Sequence, residues 1–388
     1  MSALPKRSIL TLLLAMVLLG VFPLDVILPS FPALSEHFAT PSSEIALSIS
    51  LFALGVAISQ FFLGPLSDRI GRKGLLVMGL AVSILGAIGC ANATQFMTFM
   101  LFRTLQAIGC GCFVLLNALV QDLFAGTERD RTRILVTSAS GVFISTSPLV
   151  GALLQHLAGW QASFYLFSLI ALMVLIQAIR ILPPSCGANR QAKGLISAYL
   201  ELLLNPAFMG FSLIVAIAFT CHFAFIAISP LIFLDHFQLS QLQFGLTLLS
   251  YGAAYVLGGL IASRMSRSVS YRQQLCAGLA LIGLAGMTML ALTLLTERSV
   301  TTVLLPMMIC TAGTTITRPA ATSRAMECVP GSAGGSASVL NTLVLVAGGV
   351  GSAAISVVAE DFERVLGTAF MLLSMAGLAV TARLCKAA

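Results

Sequence analysis

Two charged side chains lie within the apolar stretches: Asp25, in the run 8–29, and Arg103, in the run 96–122, where the one other charge is Asp122 at its very end. A carboxylate held away from bulk water exchanges protons usefully, because burial and a nearby cation pull its proton affinity in opposite senses. A buried ion in a membrane is costly and normally faces a cavity or a partner, which makes each charge a functional candidate. Asp25 stands about four residues, about 6 Å, from the outer end of its run, and Arg103 about seven residues, about 10 Å, from the outer end of its own. Both are therefore expected in the outer half, in contact directly or through water, as a proton-coupling pair. A static structural ion pair is the competing reading.

Other polar groups inside apolar runs are neutral. His222 in the run 208–233 is read either as a hydrogen-bonded packing residue or as a proton or substrate ligand. Gln60, Gln106, Asn117 and Asn341 offer neutral contacts, and Phe223, Phe225 and Tyr251 offer aromatic walls; Gln106, Asn117, His222 and Asn341 form the candidate substrate cavity. Carboxylates are scarce there beyond Asp25, so a neutral, zwitterionic or anionic substrate fits better than a dication. The nine cysteines contain no C-x-x-C pair, and Cys110-Gly111-Cys112 has no histidine or carboxylate at ligand spacing, so no metal site is expected. No phosphate-binding glycine loop or catalytic constellation appears, which excludes an enzyme and any cofactor other than a proton gradient.

Charge concentrates in one short stretch, Gly64-Pro65-Leu66-Ser67-Asp68-Arg69-Ile70-Gly71-Arg72-Lys73. Glycine permits two helices to reverse in a tight turn, and Arg69, Arg72 and Lys73 favour the cytoplasmic side. Asp68 is placed to accept from helix-end amides, and Arg72 to pair with Asp122 at the inner end of the run 96–122. Glu128, Arg129, Asp130, Arg131 and Arg133 either extend this network or form a solvated loop.

These residues need a scaffold, and composition names it. With 58% hydrophobic and 9% charged residues, the chain is an integral membrane protein rather than a soluble one. Runs of about 20 apolar residues cross the hydrocarbon core as helices. Twelve are read, at 8–29, 45–66, 74–91, 96–122, 133–157, 162–181, 208–233, 242–263, 274–295, 300–320, 334–357 and 366–384. The first is read as a span rather than a secretory signal, because its apolar run continues to Leu24 without a small-residue cleavage site.

A polar linker beginning Pro183-Pro184 divides the chain into an amino-terminal bundle (1–182), a cytoplasmic linker (183–207) and a carboxyl-terminal bundle (208–388). The halves echo each other: Gly64 to Arg72 aligns without gaps on Gly259 to Arg267, with Ser263 and Ser266 in place of Asp68 and Gly71. Glu36-His37-Phe38 likewise corresponds to Asp235-His236-Phe237. All Lys and Arg residues except Arg103, Arg298 and Arg364 fall at the ends that this count places inside, so both termini are expected in the cytoplasm. That orientation accounts for the net charge of +7, and no nucleic-acid partner is needed.

The 64–73 stretch resembles the signature loop of the major facilitator superfamily, G-x-L-x-D-R-x-G-R-K. Leu24-Asp25-Val26-Ile27-Leu28-Pro29 is similar to the first-helix motif of its twelve-helix drug:proton antiporters, and Arg103-Thr104-Leu105-Gln106-Ala107-Ile108-Gly109 to their fourth-helix motif, R-x-x-Q-G-x-G. Ser147-Pro148-Leu149-Val150-Gly151-Ala152 resembles the exporter motif G-P-x-x-G-G of the fifth helix, where Pro148 and small residues favour a bend and close contact. Gly159-Trp160-Gln161 and Ala333 to Leu340 look like the bicyclomycin-resistance-type subgroup.

The resemblance implies an all-α fold of twelve helices in two six-helix bundles, with the substrate site between them. It implies that Arg103 and Asp25 carry proton coupling and that Gly64, Asp68, Arg69, Gly71, Arg72 and Asp122 latch the outward-open state. The implied protein is a monomeric, proton-coupled exporter of small amphipathic compounds in the bacterial inner membrane. A dedicated exporter of a self-made metabolite such as a siderophore is the alternative, and an importer of sugars or organic acids stands third. A non-transporting receptor is disfavoured by the absence of a signalling domain.

Overall fold

The computed structural model describes residues 6–183, 195–328, 333–357 and 361–387, with some side chains inside these ranges, including those of Asp68 and Arg69, outside the description. Every regular element among the described residues is helical. Apolar side chains alone do not dictate that outcome. In hydrocarbon each backbone N–H and C=O must be satisfied within its own segment, which a helix does. Twelve helices are long and apolar enough to cross a membrane: α1 (Lys6–Phe38), α2 (Ser42–Gly64), α3 (Arg72–Ala91), α4 (Phe96–Leu123), α5 (Ala139–Ala158), α6 (Gln161–Ile181), α7 (Pro206–His236), α8 (Gln241–Ser266), α9 (Tyr271–Leu295), α10 (Val300–Glu327), α11 (Gly335–Ser356) and α12 (Phe362–Leu384). An even number of crossings puts both termini on one side, called here the terminal face, and the opposite side is the far face.

Two spans are longer than the sequence reading allowed, and each difference moves a charge. The first was expected to end at residue 29, yet its regular helix Lys6–Asp25 gives way to a 3-10 turn, Leu28–Ser30, and a further helix, Phe31–Phe38. Pro29 and Pro32 lack the N–H groups that a continuous ladder would use, so the chain breaks and then resumes. Asp25 consequently sits at an internal break, thirteen residues before Phe38, or about 20 Å by helical rise rather than about 6 Å. The tenth span continues to Glu327 instead of residue 320, and therefore encloses Arg318 about 14 Å from its end.

The internal repeat is visible in the backbone. After α1 the chain turns through Ala39 at φ 49°, and after α7 it turns through Gln238 at φ 51°; these are the two non-glycine residues in the left-handed region among those described. They follow the paired tripeptides ending at Phe38 and Phe237 by one residue each. The symmetry is not exact: α7 closes on a wide π-helical turn, Leu231–His236, whereas α1 breaks earlier, through the 3-10 turn Leu28–Ser30.

Helices α1–α6 pack chiefly among themselves, as do α7–α12, and the halves meet mainly along α2 with α11 and α5 with α8. Small residues make those seams. A Cβ on Gly64 would meet Ser338, one on Gly349 would meet Leu54 and the Ser50 carbonyl, and one on Gly245 would meet Leu149 and Ala152. Hydrogen bonds join Ser50 Oγ with Ser352 Oγ at 2.7 Å and run from Ser338 Oγ to Gln60 O at 3.0 Å. The 3-10 turn of α1 also touches α7 and α8, so the halves are in contact at the far face. Part of the expected linker is a helix, Leu195–Leu204, whose Tyr199 hydroxyl donates to Phe61 O at 3.0 Å; residues 184–194 lie outside the description.

Candidate functional site

Arg103 is fully buried in the first half of α4 and braces the break in α1. One guanidinium nitrogen donates to Gln106 Oε1 at 2.7 Å and another to Pro23 O at 2.5 Å. The helical ladder of α1 ends with Val26 N–H donating to Phe22 O at 3.0 Å, so the next carbonyl finds its donor in Arg103 instead of in the chain. The cation also lies 4.2 Å from the centroid of the Phe52 ring and 5.7 Å from that of Phe164. One arginine thereby ties together α1, α2, α4 and α6.

Asp25 is not its partner. No ion pair joins them among the described residues, and the 8% exposed Asp25 carboxylate accepts no hydrogen bond from any of them. Of the two forms of contact expected from similar depth, direct or through water, the direct one is absent among the described residues, because Asp25 terminates the regular helix and lies within electrostatic range of the Tyr251 phenol of the other half. Gln106, expected in the substrate cavity, is 1% exposed and occupied by Arg103.

The fifth-helix motif packs on the same break. A Cβ on Gly151 would run into the Val26 carbonyl, one residue past Asp25, so glycine is what lets α5 approach α1 there. Pro148 lies inside an unbroken helix, Gly126–Ala158, rather than ending it. Beside it Ser147 is buried, and its hydroxyl has no partner among the described residues.

Across the seam lies a cluster from the second half. The His222 ring stacks on Tyr251 at 5.6 Å between centroids, its Nδ1 shares a short hydrogen bond with the Tyr251 hydroxyl, and Tyr255 stands 5.8 Å away. Asn117 is exposed and Asn341 half-buried, and neither reaches this cluster by a described hydrogen bond. The sequence reading passed over Arg318, which it placed at an inner helix end. In α10 this residue lies over the Phe219 ring, 5.0 Å from the centroid, and within electrostatic range of His222. A helix count running past residue 320 would have found it.

At the terminal face, the α2–α3 turn is built around Gly71 at φ 93°, a conformation that other residues rarely adopt. Arg72 then pairs with Asp122 at 2.7 Å, joining α3 to the end of α4 as expected. Lys73 Nζ donates to Ile179 O and Leu182 O, both at 2.7 Å, and so caps the last carbonyls of α6. The second copy of the motif forms no such turn: Ser266 is inside a helix running to Ser268, Gly259 has open space around it, and α9 begins instead with a Ser270–Gln273 capping box.

Two six-helix sets meeting along paired seams, with a carboxylate that has no partner among the described residues at a break between them, define a polytopic transporter fold. A profile of the Major Facilitator Superfamily matches residues 10–354, and the chain belongs to that family of transporters. The chain is 27% identical over 304 residues to an uncharacterized MFS-type transporter, YdgK, of Bacillus subtilis (strain 168), covering 75% of this chain and 74% of that one. It is 28% identical over 267 residues to the multidrug transporter MdfA of Yersinia pestis, covering 67% of this chain and 65% of the relative. A bicyclomycin resistance protein homolog of Haemophilus influenzae is 23% identical, with 75% of each chain covered. Among solved structures, a D-xylose-proton symporter superposes with a TM-score of 0.75 at 14% identity, covering 96% of this chain and 97% of that one. That likeness concerns the fold alone.

Proposed function

We infer that the protein is a proton-coupled secondary active exporter of small amphipathic compounds, working by alternating access in the bacterial inner membrane with both termini in the cytoplasm. The observation that carries this reading is the Asp25 carboxylate, nearly buried and without a hydrogen-bond donor among the described residues, at a helix break held open by Arg103. A proton at Asp25 neutralises a charge at the seam, which changes the relative stability of the two arrangements of the halves. Arg103, by holding the Pro23 carbonyl, ties any shift of α1 to α2, α4 and α6. The terminal-face pair Arg72–Asp122 and the Gly71 turn serve as the conformational latch, acting on populations rather than on binding. The names of the multidrug relatives support drug export, and a dedicated exporter of a self-made metabolite uses the same steps with a narrower site.

Purified protein in proteoliposomes, given an imposed proton gradient, is expected to move amphipathic probes against their concentration and to stop when the gradient is collapsed by an uncoupler. Uptake that is unaffected by the uncoupler overturns proton coupling. For sidedness, single cysteines at Arg190 and at Arg267 in a cysteine-free background are expected to react only from the cytoplasm.

A further inference from the structure

Arg318 has no carboxylate or other hydrogen-bond acceptor as a partner among the described residues, although it stands about 14 Å inside the end of a membrane-spanning helix. It does not face lipid. The outward side of α10 is marked by the exposed Leu305 and by the half-buried Ile309 and Ala312, which line an outer groove with Ile261 and Met265. At about 100° per residue, Arg318 falls roughly opposite that stripe, on the side of the fully buried Thr311 and Thr314. Its guanidinium rests on Phe219, which stacks on Phe223 at 5.2 Å, and a Cβ on Gly348 would strike both rings. α11 thus carries glycine where the aromatic shelf needs room.

A half-buried guanidinium on an aromatic shelf, short of acceptors, suits a planar oxyanion. We propose that Arg318 and the Phe219–Phe223 shelf form a subsite for the carboxylate of an aromatic, amphipathic substrate, on the opposite side of the Tyr251–His222 pair from Asp25. The carboxylate supplies the paired acceptors, and the apolar body lies along the phenylalanines. Proton and anion then occupy separate sites, linked through Asp25, Tyr251, His222 and Arg318. This deepens the exporter reading and rests on it for direction and coupling.

The test uses full-length protein in nanodiscs and two probes sharing one body, nalidixate and its uncharged carboxamide, with Kd measured by equilibrium dialysis. Wild type is expected to bind nalidixate about tenfold or more tightly than the carboxamide, the difference of one charge-assisted contact. Arg318→Gln is expected to erase that preference while leaving carboxamide binding within about twofold, and Arg318→Lys to keep part of it. Equal binding of the two probes by wild type overturns the subsite, even if Arg318→Gln cannot be recovered folded. An unchanged nalidixate Kd in folded Arg318→Gln overturns it as well. The carboxamide in proteoliposomes separates the two readings. Its gradient-driven export, with no carboxylate preference in binding, removes the subsite and keeps the exporter, whereas a lost preference in Arg318→Gln with no gradient-driven movement of either probe keeps the subsite and removes the exporter.

Discussion

Asp25 and Arg103 differ in what their removal does, although both are isolated charges inside apolar helices. Asp25 has no described partner, so Asp25→Asn keeps the shape and deletes only the titratable proton. Gradient-driven efflux is expected to fall to background, while the probe Kd and thermal stability stay close to wild type. Arg103→Ala instead strips the donors from Pro23 O and Gln106 Oε1 in a fully buried place, costing about 2 kcal/mol or more. A clear loss of melting temperature is expected in detergent, together with lost transport. If Arg103→Ala is as stable as wild type, its brace on α1 is not structural. Both charges were legible in the sequence because nothing charged surrounds them. Arg318 was not, since Arg324 and Glu327 follow it and falling hydropathy there resembles a helix end, although the helix runs on through its charges.

At the scale of elements, the chain's glycines report where helices must approach or turn, and three of them make a graded test. Gly71 is held at φ 93° and ψ 154°, a region open essentially to glycine alone, so Gly71→Ala is expected to cost about 1–3 kcal/mol by backbone strain alone. Gly151→Ala places a methyl group against the Val26 carbonyl and is expected to destabilise by about 1–3 kcal/mol and to impair transport, because α5 must back away from the break. Gly259→Ala, in open space within a helix, is expected to be neutral or to stabilise by about 0.5–1 kcal/mol. Melting temperatures of the three variants, measured side by side, decide between a close-packing role and simple flexibility. The repeat alignment pairs Gly64 with Gly259, yet one packs against Ser338 and the other against nothing, so sequence periodicity disclosed the repeat without its asymmetry. Helix existence was legible throughout from run length. The break in α1 was read as its end, because Pro29 and Pro32 mark a chain that cannot continue its ladder but leave open whether it resumes.

For the whole molecule, alternating access requires the halves to separate at one face while they close at the other, and here α2 and α11 touch toward both faces, through Ser50–Ser352 toward the far face and Gln60–Ser338 toward the terminal face. The hydroxyl oxygens of Ser50 and Ser352 are 2.7 Å apart. Side chains that close bring their Cβ atoms near the separation a disulfide needs, about 3.5–4.5 Å. In a functional cysteine-free background, Ser50→Cys with Ser352→Cys is therefore expected to cross-link under mild oxidation. The oxidised protein is expected to stop gradient-driven transport, and reduction to restore it, whereas either single substitution transports normally. Two features make the outcome informative about the fold rather than about one contact. The α1 break also touches α7 and α8, and the same α2–α11 seam is closed a second time by the Ser338–Gln60 hydrogen bond, so the cross-link reports on the seam as a whole. Full transport by the cross-linked protein would mean that the halves need not part along α2 and α11, and that the moving element is the broken helix α1 alone.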